Sequence, residues 1–136
     1  MTAWLLKTEP DAFSFDDLLA SGVEPWDGVT NNTALMHLRA AKAGDRCIVY
    51  HTGDERRAVG TATVVRDAYP DPKAENPKLV AIDVRVGDRL PRPVSLAVLK
   101  DDPRFAQSPL VRISRLSVVP LTDEQYAALL SLGELT

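Results

Sequence analysis

One cysteine, two histidines and two tryptophans are all that the 136 residues hold of the side chains that most often announce a chemistry. With Cys47 alone, no intrachain disulfide can form, which fits a reducing, cytoplasmic compartment. His37, His51 and Cys47 are scattered among apolar neighbours without ligand spacing, so neither a structural metal nor a cofactor is expected. No apolar run approaches the ~20 residues that cross a bilayer. The N-terminus has no basic stretch followed by a long apolar core, so neither a membrane partner nor a secretion signal is expected. Positive charge is not in excess either: 16 Lys and Arg face 19 Asp and Glu, for a formal net charge of −3. A protein that holds nucleic acid by charge alone is basic, so any such contact here must be local. Arg56-Arg57, Lys100 with Arg104, and Arg112 with Arg115 are the candidates, and each reads equally as a solvated surface.

Marks of catalysis are missing too. There is no phosphate loop and no nucleophile elbow. Cys47 and His51 face the same side of a strand but lie four residues apart, about 13 Å, too far for a nucleophile and base to share a hydrogen bond. A non-enzymatic role is expected.

What is present reads as a single domain over residues 1–136. Residues 3–8 read as a strand. Ser14 with Asp17 is a capping box that opens a helix ending at Gly22. A second helix starts near Asn31, with Ala34, Leu35, Leu38 and Ala41 at helical spacing, and stops at Gly44-Asp45. Strands follow over 47–51 and 58–68, joined by the turn Thr52–Glu55. Tyr69-Pro70-Asp71-Pro72 should break the pairing. Alternation from Val80 to Val86 is a half-buried strand, Ser95 caps a short helix to Lys100, and Arg115 to Val119 is a last strand. Thr122 with Gln125 caps a helix that ends at Gly133. Strands without regular βαβ alternation indicate an α+β fold of about five strands with short helices at the margins.

Four clusters carry candidate chemistry. Lys7, Thr8 and Glu9 leave the first strand side by side: a carboxylate that accepts from an exocyclic amine, a hydroxyl, and an ammonium for a phosphate. They also read as a surface turn with a weak ion pair. Trp26 stands in a Pro-Trp-Asp-Gly turn, where it can stack on a planar ligand or plug the end of the core. Asn31 can meet a base edge or cap its helix, and the two roles are compatible. Tyr50, His51 and Thr52 end a strand; the histidine reads more readily as a satisfied structural residue than as a base. The fourth cluster is Arg112 with Arg115, Leu116 and Ser117, which reads equally as core with two solvated arginines.

The residues Trp4 to Pro10, Phe13-Ser14-Phe15-Asp16-Asp17-Leu18, Trp26 to Val29 with Asn31, and Gly44-Asp45-Arg46 to Tyr50-His51 occur in order. So do Val59-Gly60 with Val64-Val65, Ala68-Tyr69-Pro70-Asp71-Pro72, Arg92-Pro93-Val94-Ser95-Leu96 and Arg115-Leu116-Ser117-Val118 before Pro120. With this ordered set the chain resembles the EVE-domain proteins of the PUA-like superfamily, and more distantly the YTH readers of methylated adenine. The resemblance implies a small PUA-like β-barrel with flanking helices. It implies a non-enzymatic, monomeric module that binds DNA or RNA carrying a modified base, a methylated or hydroxymethylated pyrimidine flipped into an aromatic pocket. The alternative is a nucleoside, nucleotide or protein partner in the same pocket. Carried over to this chain, the ligand-binding residues are Lys7, Thr8, Glu9, Trp26, Asn31, Tyr50, His51, Thr52, Arg115, Leu116 and Ser117. Thr30-Asn31-Asn32-Thr33 stands where the family usually has Arg-Asn-aromatic-Gln, which removes one basic and one aromatic group beside the pocket.

Overall fold

A computed structural model describes residues 2–135. Its first strand, β1 (Ala3–Thr8), is buried continuously from Ala3 to Leu6. It has no free edge, since it pairs in parallel with β3 (Arg46–His51) and antiparallel with β6 (Val118–Leu121). A strand covered on both faces carries an unbroken apolar run rather than an alternation. The full sheet has the order β2-β5-β4-β3-β1-β6, where β2 is Val23–Trp26, β4 is Arg57–Pro70 and β5 is Val80–Ser95. The architecture is α+β, as expected, with six strands rather than about five. Its edge strands β2 and β6 do not pair, so the mixed sheet stays open where a closed barrel was anticipated.

Four strand boundaries differ from the sequence reading, and three share a cause. Tyr69 and Pro70 still pair with Ala81 and Val80, and β5 continues through Pro91 and Pro93 to Ser95. Beyond Thr63 the β3 neighbour of β4 has ended, and β2 meets β5 only around residues 82–85. In both stretches one side of the strand is free, and there proline costs no ladder bond. The segment Val23–Trp26, which runs into the Pro-Trp-Asp-Gly stretch read as a turn, is the edge strand β2, and Pro25 is tolerated for the same reason. The final strand starts at Val118; Arg115, Leu116 and Ser117 lie in the loop before it.

The helices begin where local chemistry sets them. Ser14 and Asp17 form the capping box of α1 (Phe15–Ser21), and Asn31 caps α2 (Asn32–Ala40). Ser95 caps α3 (Leu96–Lys100), Ser108 caps α4 (Pro109–Arg112), and Thr122 with Gln125 forms the box of α5 (Asp123–Leu132). Phe15 is fully buried over Gly60, where a Cβ would fall 2.3 Å from its ring. Trp4 Nε1 donates to the buried Asp45 carboxylate at 3.0 Å, which also accepts from the Lys42 amide at 2.9 Å. The β4–β5 ladder has four register shifts, and such bulges increase local twist. Curvature follows: β2 is three strands removed from β1, yet the two strands line one cleft. No helix among the described residues is long and apolar enough to cross a membrane.

Candidate functional site

The cleft has a volume of about 500 Å³ and opens where the end of β1, the tail of β2 and the loop into α2 converge. β1 delivers Lys7 and Thr8 with Glu9 just beyond, and β2 delivers Glu24 and Trp26. Trp26 is only 7% exposed, and its ring meets Phe13 edge to face at 6.1 Å and 85°. The aromatic wall is therefore a braced pair rather than a free-standing ring. Thr8 fixes the brace, its hydroxyl donating to the Phe13 carbonyl at 2.7 Å.

The mouth is held by Asp71. This buried carboxylate accepts from the Gly28 amide at 3.2 Å and from the Lys73 amide at 2.9 Å, tying the β2–α2 loop to the β4–β5 loop. Gly28 has φ +72°, a backbone conformation that glycine adopts without strain. Lys73 Nζ reaches Asp27 Oδ2 at 3.4 Å across the opening.

The polar groups are differently committed. Lys7 Nζ donates to the Ser114 carbonyl at 2.9 Å and lies 5.6 Å from the centre of the Tyr50 ring; burial lowers its pKa from the ordinary lysine value. Glu9 turns toward its own loop, accepting from the Asp11 amide at 3.3 Å and from the Thr52 hydroxyl at 3.4 Å. Asn31 Oδ1 accepts from the Ala34 amide at 3.0 Å, so the cap is real, and the side-chain N–H groups have no protein partner among the described residues. Arg115 and Ser117 line the cleft from the loop before β6, Arg115 exposed and Ser117 half-buried.

Lys7, Thr8, Glu9, Trp26, Asn31, Arg115 and Ser117 thus converge on one cleft. Tyr50 and Thr52 line a neighbouring cavity instead, and Leu116 is buried in the core. His51 lines a third hollow beside Pro10. Its Nε2 accepts from the Phe15 amide at 3.0 Å, which places the proton on Nδ1, donated to Glu55 at 2.9 Å. Both ring nitrogens are spoken for by the fold. Burial and the nearby Asp45 push the Cys47 thiol up, so no reactive thiolate stands in β3. Among the described residues no group of three or more His, Cys, Asp or Glu side chains could hold a metal.

Sequence reasoning missed Phe13, Glu24, Asp27 and Lys73 as lining residues. Glu24 could have been found only by recognising β2 as a strand, because alternation along it turns Glu24 and Trp26 to one side. Glu24 and Asp27 are acceptors suited to an exocyclic amine, while Lys73 and Arg115 bring positive charge to the rim.

An open mixed sheet with short flanking helices, carrying at the end of its first strand a cleft lined by two aromatic rings, three carboxylates and three cations, has the architecture of a PUA-like domain. Within that class the chain belongs to the EVE-domain family, whose pattern matches residues 2–132. Human thymocyte nuclear protein 1 is 32% identical over an alignment covering 96% of this chain and 73% of that protein. A crystal structure of a protein from Agrobacterium tumefaciens superposes with a TM-score of 0.96 at 36% identity, covering 99% of this chain and 94% of that one. Human THYN1 protein, solved in complex with 5-methylcytosine containing DNA, superposes with a TM-score of 0.90 at 31% identity, covering 100% of this chain and 99% of that one.

Proposed function

We propose that this chain is a non-enzymatic reader of a modified base, holding a methylated or hydroxymethylated pyrimidine, flipped from its strand, in the cleft beside Trp26. The observation that carries the reading is the placement of carboxylate acceptors, Glu24 and Asp27, next to the Trp26–Phe13 pair. The complex of human THYN1 with 5-methylcytosine containing DNA supports the same choice and makes that base the first ligand to test.

The chemistry of cytosine suits these groups. Its exocyclic amine donates, and a Glu or Asp carboxylate is the side chain that accepts from it. Extracting a base from the stack costs a few kcal/mol; aromatic contact returns about 1–3 kcal/mol, and a hydrogen bond to a charged group about 1.5–3 kcal/mol. The balance is close, so binding is modest and single strands are favoured. A buried methyl group adds about 0.8 kcal/mol, roughly fourfold in affinity. The module acts as a monomer in the cytoplasm, without metal or cofactor, on this reading.

Anisotropy titrations with labelled single strands carrying cytosine, 5-methylcytosine or thymine test it. Trp26→Phe should keep the fold and weaken 5-methylcytosine binding about tenfold, within the range for lost stacking. Glu24→Gln should erase the preference for 5-methylcytosine over thymine, which shares the methyl group but lacks the amine. Unchanged affinity in both variants would refute the assignment, and a free nucleoside binding as tightly as the strand would turn it toward a small-molecule ligand.

A further inference from the structure

A second cavity, of about 280 Å³, adjoins the base cleft, with Lys7 in the wall of both. Its wall brings together Lys7 from the end of β1, Arg56 from the turn before β4 and Lys100 from the end of α3, over apolar surface from Leu96 and Leu110. No carboxylate lines it. Arg56 and Lys100 have no ion-pair partner among the described residues, whereas the adjacent Arg57 is paired with Glu55 at 3.1 Å. An uncompensated cluster of three cations in an acidic protein is unusual, because like charges brought together repel.

Two further features mark the same cavity. Tyr50 lines the cavity, and its hydroxyl, which no protein group engages among the described residues, is open to it rather than sealed in the core. Arg56 has φ 45°, in the left-handed region that glycine favours, and its carbonyl is pinned there by the Leu96 amide at 2.9 Å. The turn thus carries an arginine where a glycine would be relaxed, a pattern of strain found at functional positions.

We infer that Lys7, Arg56, Lys100 and the Tyr50 hydroxyl form a seat for a phosphate group, that of the nucleotide next to the base in the cleft. The identity of that nucleotide rests on the reading above; the seat itself rests on the cavity. Lys7 is the hinge of the arrangement. One of its N–H groups is spent on the Ser114 carbonyl, and the others remain to reach a bound anion. A single neutralised phosphate also explains how a chain of net charge −3 can hold a polyanion without a basic face.

The test combines Arg56→Gly with Lys100→Gln, a pair that removes two charges and relaxes the strained turn, so that thermal stability should hold or rise. Binding of a 5-methylcytosine single strand is followed by anisotropy across a potassium chloride series. The double variant should lose about tenfold in affinity at low salt, the scale of a charge-assisted contact, and its salt slope should fall by about 0.7, the value for one phosphate on a single strand. A methylphosphonate at the linkage on one or the other side of the modified base should weaken the wild type by the same factor and leave the double variant unaffected. An unchanged salt slope, or additive losses from variant and methylphosphonate, would overturn the seat. Inorganic phosphate should compete with the strand in the wild type alone. If it does while both methylphosphonate strands bind like their parent, the cavity takes a free phosphate and the assignment to the strand fails. The ratio of 5-methylcytosine to cytosine affinity reads the base cleft separately: its absence in the wild type, with the slope change intact, removes the base reading and leaves the seat standing.

Discussion

Asn31 shows how one side chain can serve the fold and a ligand at once. Its carbonyl oxygen is committed to the Ala34 amide at the start of α2, while its amide group lines the cleft without a protein partner. Substitutions separate the two duties. Aspartate is as good an N-cap as asparagine, so Asn31→Asp should keep the melting temperature but lose any contact that needs an N–H donor. Asn31→Ala should lose about 1 kcal/mol of stability from the missing cap, measured by urea denaturation. If Asn31→Asp binds a modified strand as well as the wild type, Asn31 is a cap only. His51 is the opposite case, since both of its ring nitrogens are occupied by Phe15 and Glu55 and none is left for chemistry. A histidine at a strand end looks the same in either role until its partners are known.

At the scale of elements, the β4–β5 hairpin sets the curvature, and it is tightly packed at Gly60. An added methyl there would lie 2.3 Å from the ring of Phe15, the fully buried first residue of α1. Gly60→Ala should therefore cost about 1–3 kcal/mol through overpacking, read as a lowered denaturation midpoint with an unchanged slope. Four of the five α-helix starts were legible in the sequence because capping is written within four residues: Ser14 with Asp17, Asn31, Ser95, and Thr122 with Gln125 all lie where their side chains bond, whereas the single turn of α4 after Ser108 was not read. Strand limits were not, because a strand's tolerance for proline depends on which neighbours flank it. Pro25, Pro70, Pro91 and Pro93 all sit where one side is unpaired. The same limit hid Glu24. Residues taken together by sequence proximity, such as Tyr50, His51 and Thr52, went to different cavities because alternate strand residues face opposite ways. Leu116 and Ser117 split between core and cleft, the division between a packing and a ligand-facing residue that the resemblance implies.

For the whole molecule, alkaline pH offers a global readout. All three tyrosines ionise above the ordinary value of 10.0, chiefly because burial disfavours the phenolate; Tyr69 is pushed up to about 12, with its hydrogen bond to Asp83 adding to the effect. Since the folded values lie above the unfolded one, this contribution to stability is complete below pH 10 and is lost as the pH rises through the folded values. Ultraviolet titration of the native protein should show less than half of the phenolate at pH 10, and addition of denaturant should restore the ordinary curve. An ordinary curve without denaturant would contradict the burial described here.

The place of β1 has a temporal consequence. The strand made first, with its Ala-Trp-Leu-Leu run, receives its second neighbour only when Val118–Leu121 arrives roughly a hundred residues later. Chains grow at about 5–20 residues per second, so for several seconds each nascent molecule shows the cell an open apolar ribbon. A ribosome that stalls or a message cut short before β6 would leave that ribbon permanently bare, and the truncated product should be sticky and short-lived.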